Sequence, residues 1–231
     1  MNILALNSSS DFIEVALLRN NNFFYISKKL KIGRYEDLIL LIKQLLSKAR
    51  LELKDLNCLG VCVGPGSFTG IRLGLSTMKA LAYSTKKPLV GFRSLELLAW
   101  SVMNNFQDIL CVIQDAKRNN LYFAIFGKRK DLKQIGSYRL INVSDLLSKL
   151  RKFANKRAIF FTGDAVWAYK TQLKQNFPNA VFLNHFPKDG KAKAMIELTK
   201  FYLRKRRLNN FSEAQPLYLY SRYCQVKSHQ N

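Results

Sequence analysis

Alternating apolar and polar residues open the chain, and the period changes to that of a helix after about thirty residues. The alternation predicts an antiparallel meander of three strands, at 2–7, 12–19 and 23–30. Apolar residues then recur at helical spacing from 35 to 50. Further along, the pattern predicts a buried strand at 59–63, a helix at 71–84, a strand at 89–92 and a helix at 94–104.

The second half repeats this plan without repeating the sequence. Its predicted elements are strands at 109–114, 121–127 and 133–140, then helix 144–150, strand 158–162, helix 164–175, strand 181–183 and helix 191–206. We expect Ser94 and Ser144 to cap the helices that begin there. The order predicts an α/β fold of two similar domains, each a mixed sheet flanked by helices in the ribonuclease-H-like layout, at 1–106 and 107–231.

The chain carries far more positive than negative charge. Its 231 residues include 38 Lys and Arg against 15 Asp and Glu, a formal net charge of +23. Residues 1–115 hold 14 basic and 9 acidic side chains, whereas residues 116–231 hold 24 and 6. A surface this basic attracts polyanions such as RNA, DNA or acidic proteins. A codon bias towards Lys would produce the same total, so charge alone leaves both interpretations open.

Cysteine usage and apolar run lengths indicate the compartment. Cys58 and Cys62 lie four residues apart on a predicted strand, roughly 13 Å, which is too far for a disulfide. Together with Cys111 in another apolar run, they are typical of small buried side chains in a reducing compartment. No basic signal-peptide start and no run of about 20 apolar residues is present. We therefore expect a cytoplasmic protein without a membrane segment.

The most specific local string is GVCVGPGSFTGIRLG, at 60–74, which predicts a strand, a glycine-rich turn and a helix. One interpretation is an anion site, in which Ser67 or Thr69 caps a helix whose N–H groups point outward. A second is a tight structural turn. A third is a docking surface, because Gly70 and Gly74 form a flat stripe that another helix could approach closely. The string is not a Walker loop, because GxxxxGK[ST] is absent.

Catalytic and metal-binding patterns are sparse. The chain has only two histidines, His185 and His229, and neither a Cys–His zinc spacing nor an HxxxH pair. Ser67 lies in GPGSF and not in the G-x-S-x-G string of hydrolases. We therefore expect no bound metal and no Ser or Cys hydrolase activity.

Five segments of the chain, in order, resemble the TsaB (YeaZ) family. They are the opening strand with Asn7-Ser8-Ser9-Ser10, the GPGSFTGIRLG loop and helix, PLVGFRSL at 88–95, IQDAKR at 113–118, and QPLYL at 215–219. The resemblance implies an actin-like ATPase fold of two ribonuclease-H-like subdomains. It also implies a non-catalytic partner of TsaD, which transfers threonylcarbamoyl to N6 of adenosine 37 in tRNA. The small ATPase TsaE completes the implied set.

The resemblance also implies where partners dock. The family pairs with TsaD, or with itself, through N-terminal helices that correspond here to about 35–50 and 70–84. The residues expected at this interface are Tyr35, Leu38, Ile42, Phe68, Thr69, Arg72, Leu73, Ser76 and Lys79. A charge placed at Leu73 is expected to break docking.

A vestigial nucleotide site is implied at Asn7, Ser8 and Asp115. Actin-like ATPases and most of the family end the first strand with an Asp, whereas Asn7 lacks the charge that holds Mg²⁺ or polarises water. Asp115 ends the equivalent strand of the second half, although a lone Asp there is also common as a turn residue. Tyr35 stands where the family usually has a His. We expect no ATP hydrolysis and no cofactor, with ATP or ADP bound only at the complex.

A basic run, Arg204, Lys205, Arg206 and Arg207, ends the last predicted helix. Cations suit helix C-termini, but contacts with phosphate are independent of sequence, so the run is also a candidate contact for tRNA. Two alternative functions remain open. One is a nucleotide-dependent ATPase or kinase of the actin-like fold, against which Asn7 argues. The other is a stand-alone tRNA-binding protein, which the net charge supports.

Overall fold

Five strands of the first half form one mixed sheet. The structure is a computed structural model that describes residues 1–29, 37–128, 131–154, 158–183, 189–205 and 214–220. The strands are β1 (Asn2–Asn7), β2 (Phe12–Arg19), β3 (Asn22–Lys29), β4 (Cys58–Cys62) and β5 (Leu89–Phe92), ordered β3-β2-β1-β4-β5. The first three are antiparallel, and β4 runs parallel to both β1 and β5. Because β1 and β4 are parallel, Asn7 and the loop after β4 lie at the same edge of the sheet.

Two helices cover one face of this sheet. They are α1 (Asp37–Lys48) and α2 (Phe68–Thr85), and a third helix, α3 (Ser94–Ser101), follows β5. Successive side chains of a strand point to opposite faces. Accordingly Leu4 and Leu6 pack in one core with α1 and α2, whereas Ile3 and Ala5 pack in another. Burial on both faces explains why the central strands are almost wholly apolar.

The second half builds a sheet of the same order. Its elements are β6 (Asp108–Asp115), β7 (Leu121–Lys128), β8 (Leu132–Ile141), α4 (Val143–Ala154), β9 (Ile159–Thr162), α5 (Val166–Asn176) and β10 (Val181–Phe182). The order β10-β9-β6-β7-β8 mirrors the first sheet, and α4 and α5 pack in one core with β6, β7 and β9. The predicted α/β fold of two similar mixed sheets is confirmed.

The last helix returns to the first sheet. Helix α6 (Gly190–Arg204) packs with Ile3 and Ala5 and contacts α3. The first compact unit therefore joins Met1–Val102 to the described residues 189–205 and 214–217, and the second holds the described residues from Met103 to 183 with 218–220. This differs from the predicted division at residue 106, which placed the last helix in the second domain. A pattern along the chain does not reveal a packing partner so distant in sequence.

Two predicted helix caps are wrong. Helix α3 begins at Ser94 itself, and the Ser94 hydroxyl donates to the Pro65 carbonyl at 2.5 Å. At the start of α4 the capping acceptor is Asn142, whose Oδ1 accepts from the Asp145 N–H at 2.9 Å and from the Ser144 hydroxyl at 2.6 Å. Asn is as good an N-cap as Ser, and Asn142 stands immediately before α4, two residues ahead of Ser144, which lies inside the first turn.

The predicted buried thiols are confirmed for three cysteines. Cys58, Cys62 and Cys111 are buried and free. Burial raises the pKa of Cys58 to about 12 and that of Cys62 to about 11, and it also raises the pKa of Cys111 well above its usual value. Such thiols are inert, because the thiolate is the reactive form.

The described helices include none that combines the length and the apolar character of a membrane span.

Candidate functional site

The glycine-rich string after β4 is shaped by contacts with the turn that joins β1 to β2. Gly66 has a φ of +149°, and a Cβ there would lie 2.1 Å from the Ser9 carbonyl oxygen. The Ser67 N–H donates to that same oxygen at 2.8 Å, and the Ser67 hydroxyl accepts from the Gly70 N–H at 3.2 Å. Ser67, one of the two predicted candidates, is thus the N-cap of α2. These internal bonds favour the interpretation as a structural turn over that as an anion site.

The glycine stripe of α2 faces the chain's own β1–β2 turn. A Cβ at Gly70 would lie 2.0 Å from the Ser8 carbonyl oxygen, and one at Gly74 would lie 2.2 Å from Ser8 Oγ. The Ser8 hydroxyl also donates to the Gly70 carbonyl at 2.7 Å. The stripe does permit a close approach, but of Ser8 and not of a partner's helix. The interpretation of Gly70 and Gly74 as a docking stripe is therefore wrong.

A buried polar cluster surrounds the end of β1. Asn7 Nδ2 donates to Glu14 Oε2 at 2.7 Å, and Asn7 Oδ1 accepts from Ser9 N at 3.1 Å and Ser9 Oγ at 2.7 Å. Cys62 Sγ lies 3.5 Å from Ser9 Oγ. Asn7 is 4% exposed and Glu14 is 9% exposed. Both ends of the Asn7 amide are consequently engaged within the protein.

Glu14 is a residue that the sequence analysis missed. It lies directly opposite Asn7 in the antiparallel register of β1 and β2. The β1–β2 hairpin has a regular register that runs from the pair of Asn2 and Arg19 to the pair of Asn7 and Glu14. The register could therefore have been worked out from the bounds of the two predicted strands. A carboxylate therefore lies beside the amide of Asn7, one strand away from position 7, where the family resemblance implies an Asp.

The equivalent end of β6 is exposed. Asp115 Oδ2 lies 2.8 Å from Lys117 Nζ, and Asp115 Oδ1 accepts from the Lys117 N–H at 2.7 Å. These bonds from Lys117 lower the pKa of the Asp115 carboxyl. The Asp115 N–H donates to Asp164 Oδ1 at 2.9 Å. Asn7 and Ser8 belong to the first unit and Asp115 to the second, and each strand end is satisfied within its own unit.

Six of the nine predicted interface residues line one depression on the first unit. This α2 depression has a volume of about 560 Å³ and is lined by Phe68, Thr69, Arg72, Leu73, Leu75, Ser76, Lys79 and Pro216. The guanidinium of Arg72 lies 3.8 Å from the centroid of the Phe68 ring, which is 37% exposed. The depression combines apolar walls with two cations, a chemistry suited to a protein partner.

A second groove runs between α1 and α2. This α1–α2 groove has a volume of about 350 Å³ and is lined by Ile39, Ile42, Lys43, Leu46, Leu53, Ser76, Thr77, Ala80 and Leu81. Ser76 lines both hollows, so they adjoin along the outward side of α2. We refer to both together, with the outward residues of α1, as the α1–α2 surface.

The structure places two of the predicted contact residues of α1 in the core, although Ile42 also lines the α1–α2 groove. Leu38 is fully buried and Ile42 is 3% exposed, and both belong to the core. Ile39 and Leu40 point outward instead, 57% and 52% exposed. The sequence indicated that some apolar residues of α1 are exposed, because residues 38–42 are five apolar residues in succession. A helix packed on one side cannot bury all five.

Three predicted site residues, Tyr35, Arg206 and Arg207, lie outside the described residues. Of the basic run, Arg204 ends α6 and Lys205 follows it, and both are exposed. Lys205 Nζ lies 4.3 Å from the centroid of the Phe201 ring. These two cations belong to the first unit, because α6 does, whereas residues 107–231 were predicted to form one domain. Across the described ranges, no group of three His, Cys, Asp or Glu side chains could hold a metal ion.

Comparisons with known proteins agree on one family. The family model described as TsaD, tRNA N6-adenosine threonylcarbamoyltransferase, matches residues 34–228. The tRNA threonylcarbamoyladenosine biosynthesis protein TsaB of Buchnera aphidicola subsp. Acyrthosiphon pisum is 31% identical over 138 residues, which cover 59% of this chain and 62% of that protein. TsaB of Haemophilus influenzae is 25% identical over 235 residues, covering 95% of this chain and 93% of that protein.

A solved structure shares the fold over nearly the whole chain. YeaZ from Pseudomonas aeruginosa superposes with a TM-score of 0.74 at 20% identity, covering 94% of this chain and 99% of that one. A second structure, of a Pseudomonas aeruginosa protein with similarity to peptidase YEAZ, gives a TM-score of 0.80 at 20% identity, covering 95% and 99%. The match to the family model shows that the chain belongs to the TsaD family, and its relatives over most of its length are TsaB proteins.

Proposed function

We propose that this chain is an accessory subunit of tRNA N6-threonylcarbamoyladenosine synthesis. In this proposal it binds the transferase TsaD through the α1–α2 surface and performs no reaction of its own. The names of its relatives support the pathway, and the geometry of the α1–α2 surface supports the mode of action. TsaE and tRNA would join at the complex formed with TsaD.

The observation that carries the docking proposal is the apolar character of the α1–α2 surface. Phe68 lines the α2 depression and Ile39 lines the α1–α2 groove, and both are exposed large apolar side chains, as is Leu40 beside Ile39 on α1. A contiguous apolar patch rimmed by polar and charged residues, here Arg72 and Lys79, is typical of a protein interface. A partner's helix would bury these side chains and leave the two cations at the rim.

The state of the two strand ends supports a role without catalysis. The Asn7 amide is occupied by Ser9 and Glu14, and the Asp115 carboxylate by Lys117. Neither end presents a free carboxylate that would hold a metal and orient water for attack on a phosphate. Phosphate release from ATP by the isolated chain is expected to stay at background. Turnover that disappears in a Glu14→Gln variant would overturn this part of the proposal.

Light scattering on a sizing column tests docking directly. The samples are this chain, TsaD, and their mixture, with and without nucleotide and TsaE. The expected result is a new peak that contains both proteins, most simply at a ratio of one to one. The sample of the chain alone reports whether the same surface pairs two copies. Failure to form any complex under all of these conditions would contradict the proposal.

Three variants locate the interface. Ile39→Glu and Leu73→Glu place a charge on the α1–α2 surface and are expected to weaken binding of TsaD at least tenfold, because burying an unpaired carboxylate is costly. Ile135→Glu, on β8 of the second unit, is the matched control, since Ile135 is also an exposed apolar side chain, 38% accessible. Full binding by both folded interface variants would show that a different face docks.

The basic run at the end of α6 remains our proposal for a tRNA contact within the complex. Replacing Arg204, Lys205, Arg206 and Arg207 together with Gln is expected to lower the affinity of the complex for tRNA and to flatten its salt dependence. Unchanged affinity and an unchanged salt slope would remove these residues from the tRNA surface.

A further inference from the structure

An exposed tryptophan lies beside a lysine on α5 of the second unit. Trp167 is 58% exposed, which is unusual for so large an apolar side chain. Lys170 Nζ lies 4.7 Å from the centroid of the Trp167 ring and 5.7 Å from that of Phe182. Phe182 belongs to β10, the edge strand of the second sheet. An indole ring, an ammonium and a second aromatic ring thus meet at one outer corner of this unit.

Helix α5 and the helix that contacts it are rich in cations. Trp167, Lys170 and Lys174 follow one another at helical spacing along α5, which contains no Asp or Glu. Helix α4, which contacts α5, carries Lys149, Arg151 and Lys152 against a single acid, Asp145. The two helices therefore present five cations and one carboxylate.

Helix α6 differs from α4 and α5 in that two of its lysines form ion pairs. On α6, Lys193 pairs with Asp189 and Lys200 pairs with Glu197. Within the described parts of the chain, none of the cations of α4 and α5 forms an ion pair with a carboxylate. Lys174 Nζ donates to the carbonyls of Pro178 and Ala180, which carry no net charge, so most of the positive charge of α4 and α5 remains available to an anionic ligand.

We infer that the α5 corner of the second unit, centred on Trp167 and Lys170, binds RNA with an unpaired base stacked on the indole. Aromatic rings bind the face of any base, while neighbouring lysines neutralise the phosphates on either side. A codon bias towards Lys would raise the charge of the whole surface but would not place an exposed tryptophan within this cationic helical layer. The inference goes beyond docking to TsaD and can be tested on the isolated chain.

Tryptophan fluorescence can report directly on binding at the α5 corner. The chain has two tryptophans. The other, Trp100, packs edge-to-face on Phe201 in the first unit, with ring centroids 5.2 Å apart. In a Trp100→Phe variant, therefore, all indole emission comes from Trp167. Titration with an unlabelled tRNA transcript is expected to quench this emission saturably, and a blunt RNA duplex of the same length is expected to quench it much less, because its bases remain stacked.

Binding of a labelled tRNA transcript, followed by anisotropy, measures the contribution of each side chain. Trp167→Ala is expected to weaken binding roughly tenfold, within the range seen for loss of one base stack. Lys170→Gln is expected to reduce the slope of log affinity against log salt by about 0.7 to 0.9, the loss of one phosphate contact. The matched control is Lys133→Gln, an exposed cation on β8 of the same unit, which is expected to leave the affinity within twofold.

Three outcomes would overturn the inference. The first is the absence of tRNA binding by the isolated chain even at low salt. The second is binding of tRNA without quenching of Trp167 fluorescence. The variant with Gln at positions 204–207 would then show whether the basic run binds the tRNA instead. The third is quenching of Trp167 by an acidic polypeptide as strong as that by tRNA, which would assign the corner to protein partners. None of these results depends on whether TsaD docks, so the two proposals fail separately.

Discussion

The carboxyl ends of β1 and β6 hold equivalent places in two sheets of the same strand order, but they are built in opposite ways. Asn7 ends β1 inside the first unit, where its amide is bonded by Glu14 and Ser9. Asp115 ends β6 at the surface of the second unit and pairs with Lys117. The end of β1 is part of a packed interior, whereas the end of β6 presents an exposed carboxylate. The comparison suggests that structure now constrains the first end more tightly than the second.

The helices that follow the fourth strand of each sheet differ in the same sense. Both α2 and α5 begin with an exposed aromatic ring beside a cation, Phe68 with Arg72 and Trp167 with Lys170. Along α2 the outward residues then form two apolar hollows, whereas along α5 the exposed cations include Lys174. Under the two proposals, one scaffold presents a surface for protein and a surface for RNA, and the outward residues decide which.

Breaking the close approach of α2 to the β1–β2 turn is expected to have the largest effect. Gly70→Ala would place a Cβ 2.0 Å from the Ser8 carbonyl oxygen, which is backbone and cannot rotate away. Ala favours a helix over Gly by about 1 kcal/mol, but the clash outweighs this gain. We expect a net loss of about 3 kcal/mol in the free energy of unfolding of the first unit. Urea denaturation of a Trp167→Phe background, in which Trp100 reports on the first unit, measures it.

Gly74→Ala is the matched control one turn further along α2. Its Cβ would meet Ser8 Oγ, a side-chain atom that can rotate at the loss of its bond to the Gly70 carbonyl. The gain in helix propensity then offsets most of the loss, so we expect a change of about 1 kcal/mol or less. Equal losses for the two variants would mean that the backbone contact does not set the geometry of the turn.

Placing at position 7 the Asp that the family resemblance implies is expected to destabilise the chain. Asn7→Asp would place two carboxylates at the distance that now separates an amide from Glu14 Oε2, 2.7 Å. Like charges raise the pKa of one of the two carboxyls in the folded state, so the variant is least affected at acid pH and loses stability as pH rises. We expect a loss of about 2 kcal/mol at pH 8 that shrinks towards pH 4, measured by urea denaturation at each pH.

The double variant Asn7→Asp with Glu14→Gln exchanges the amide and the carboxylate across the hairpin. It restores a donor opposite an acceptor and is expected to recover most of the stability lost in Asn7→Asp. Glu14→Gln alone keeps an acceptor opposite Asn7 and is expected to cost about 1 kcal/mol. If the double variant is as unstable as the sum of the two single ones, Glu14 is not what makes Asn fit at this position.

The sequence predicted local features of this fold well and distant contacts poorly. Strands at 12–19 and 89–92 were placed at their observed ends, because alternation and turn residues are local signals. The return of α6 to the first sheet was missed, since no periodicity records which sheet a helix covers. The sequence also named six residues of the α2 depression, but only through a family resemblance and not through pattern.

The order of buried and exposed residues along α1 could not be predicted for a different physical reason. Five successive apolar residues at 38–42 satisfy a buried face and an exposed face equally well, so the pattern could not separate Leu38 from Ile39. Packing against the sheet decides which of these residues are buried, and it buries Leu38 while leaving Ile39 exposed. The pair of Asn7 and Glu14, by contrast, could have been predicted, because the register of a regular hairpin fixes every opposite pair.

The exposed strand end of the second unit is expected to give the smallest effect. Asp115→Asn removes the ion pair with Lys117, but water screens that pair and an amide oxygen can still accept from the Lys117 N–H. Because Lys117 lowers the pKa of Asp115 in the folded state, its stabilisation is present above the unfolded pKa of about 4 and is lost as pH falls through the folded value. In a Trp100→Phe background, where Trp167 reports on the second unit, we expect a loss of about 0.5 kcal/mol at pH 7 and no difference near pH 2. A loss at pH 7 as large as that of Asn7→Asp would mean that the two strand ends are equally constrained, and the contrast between the units would then lie only in the outward faces of α2 and α5.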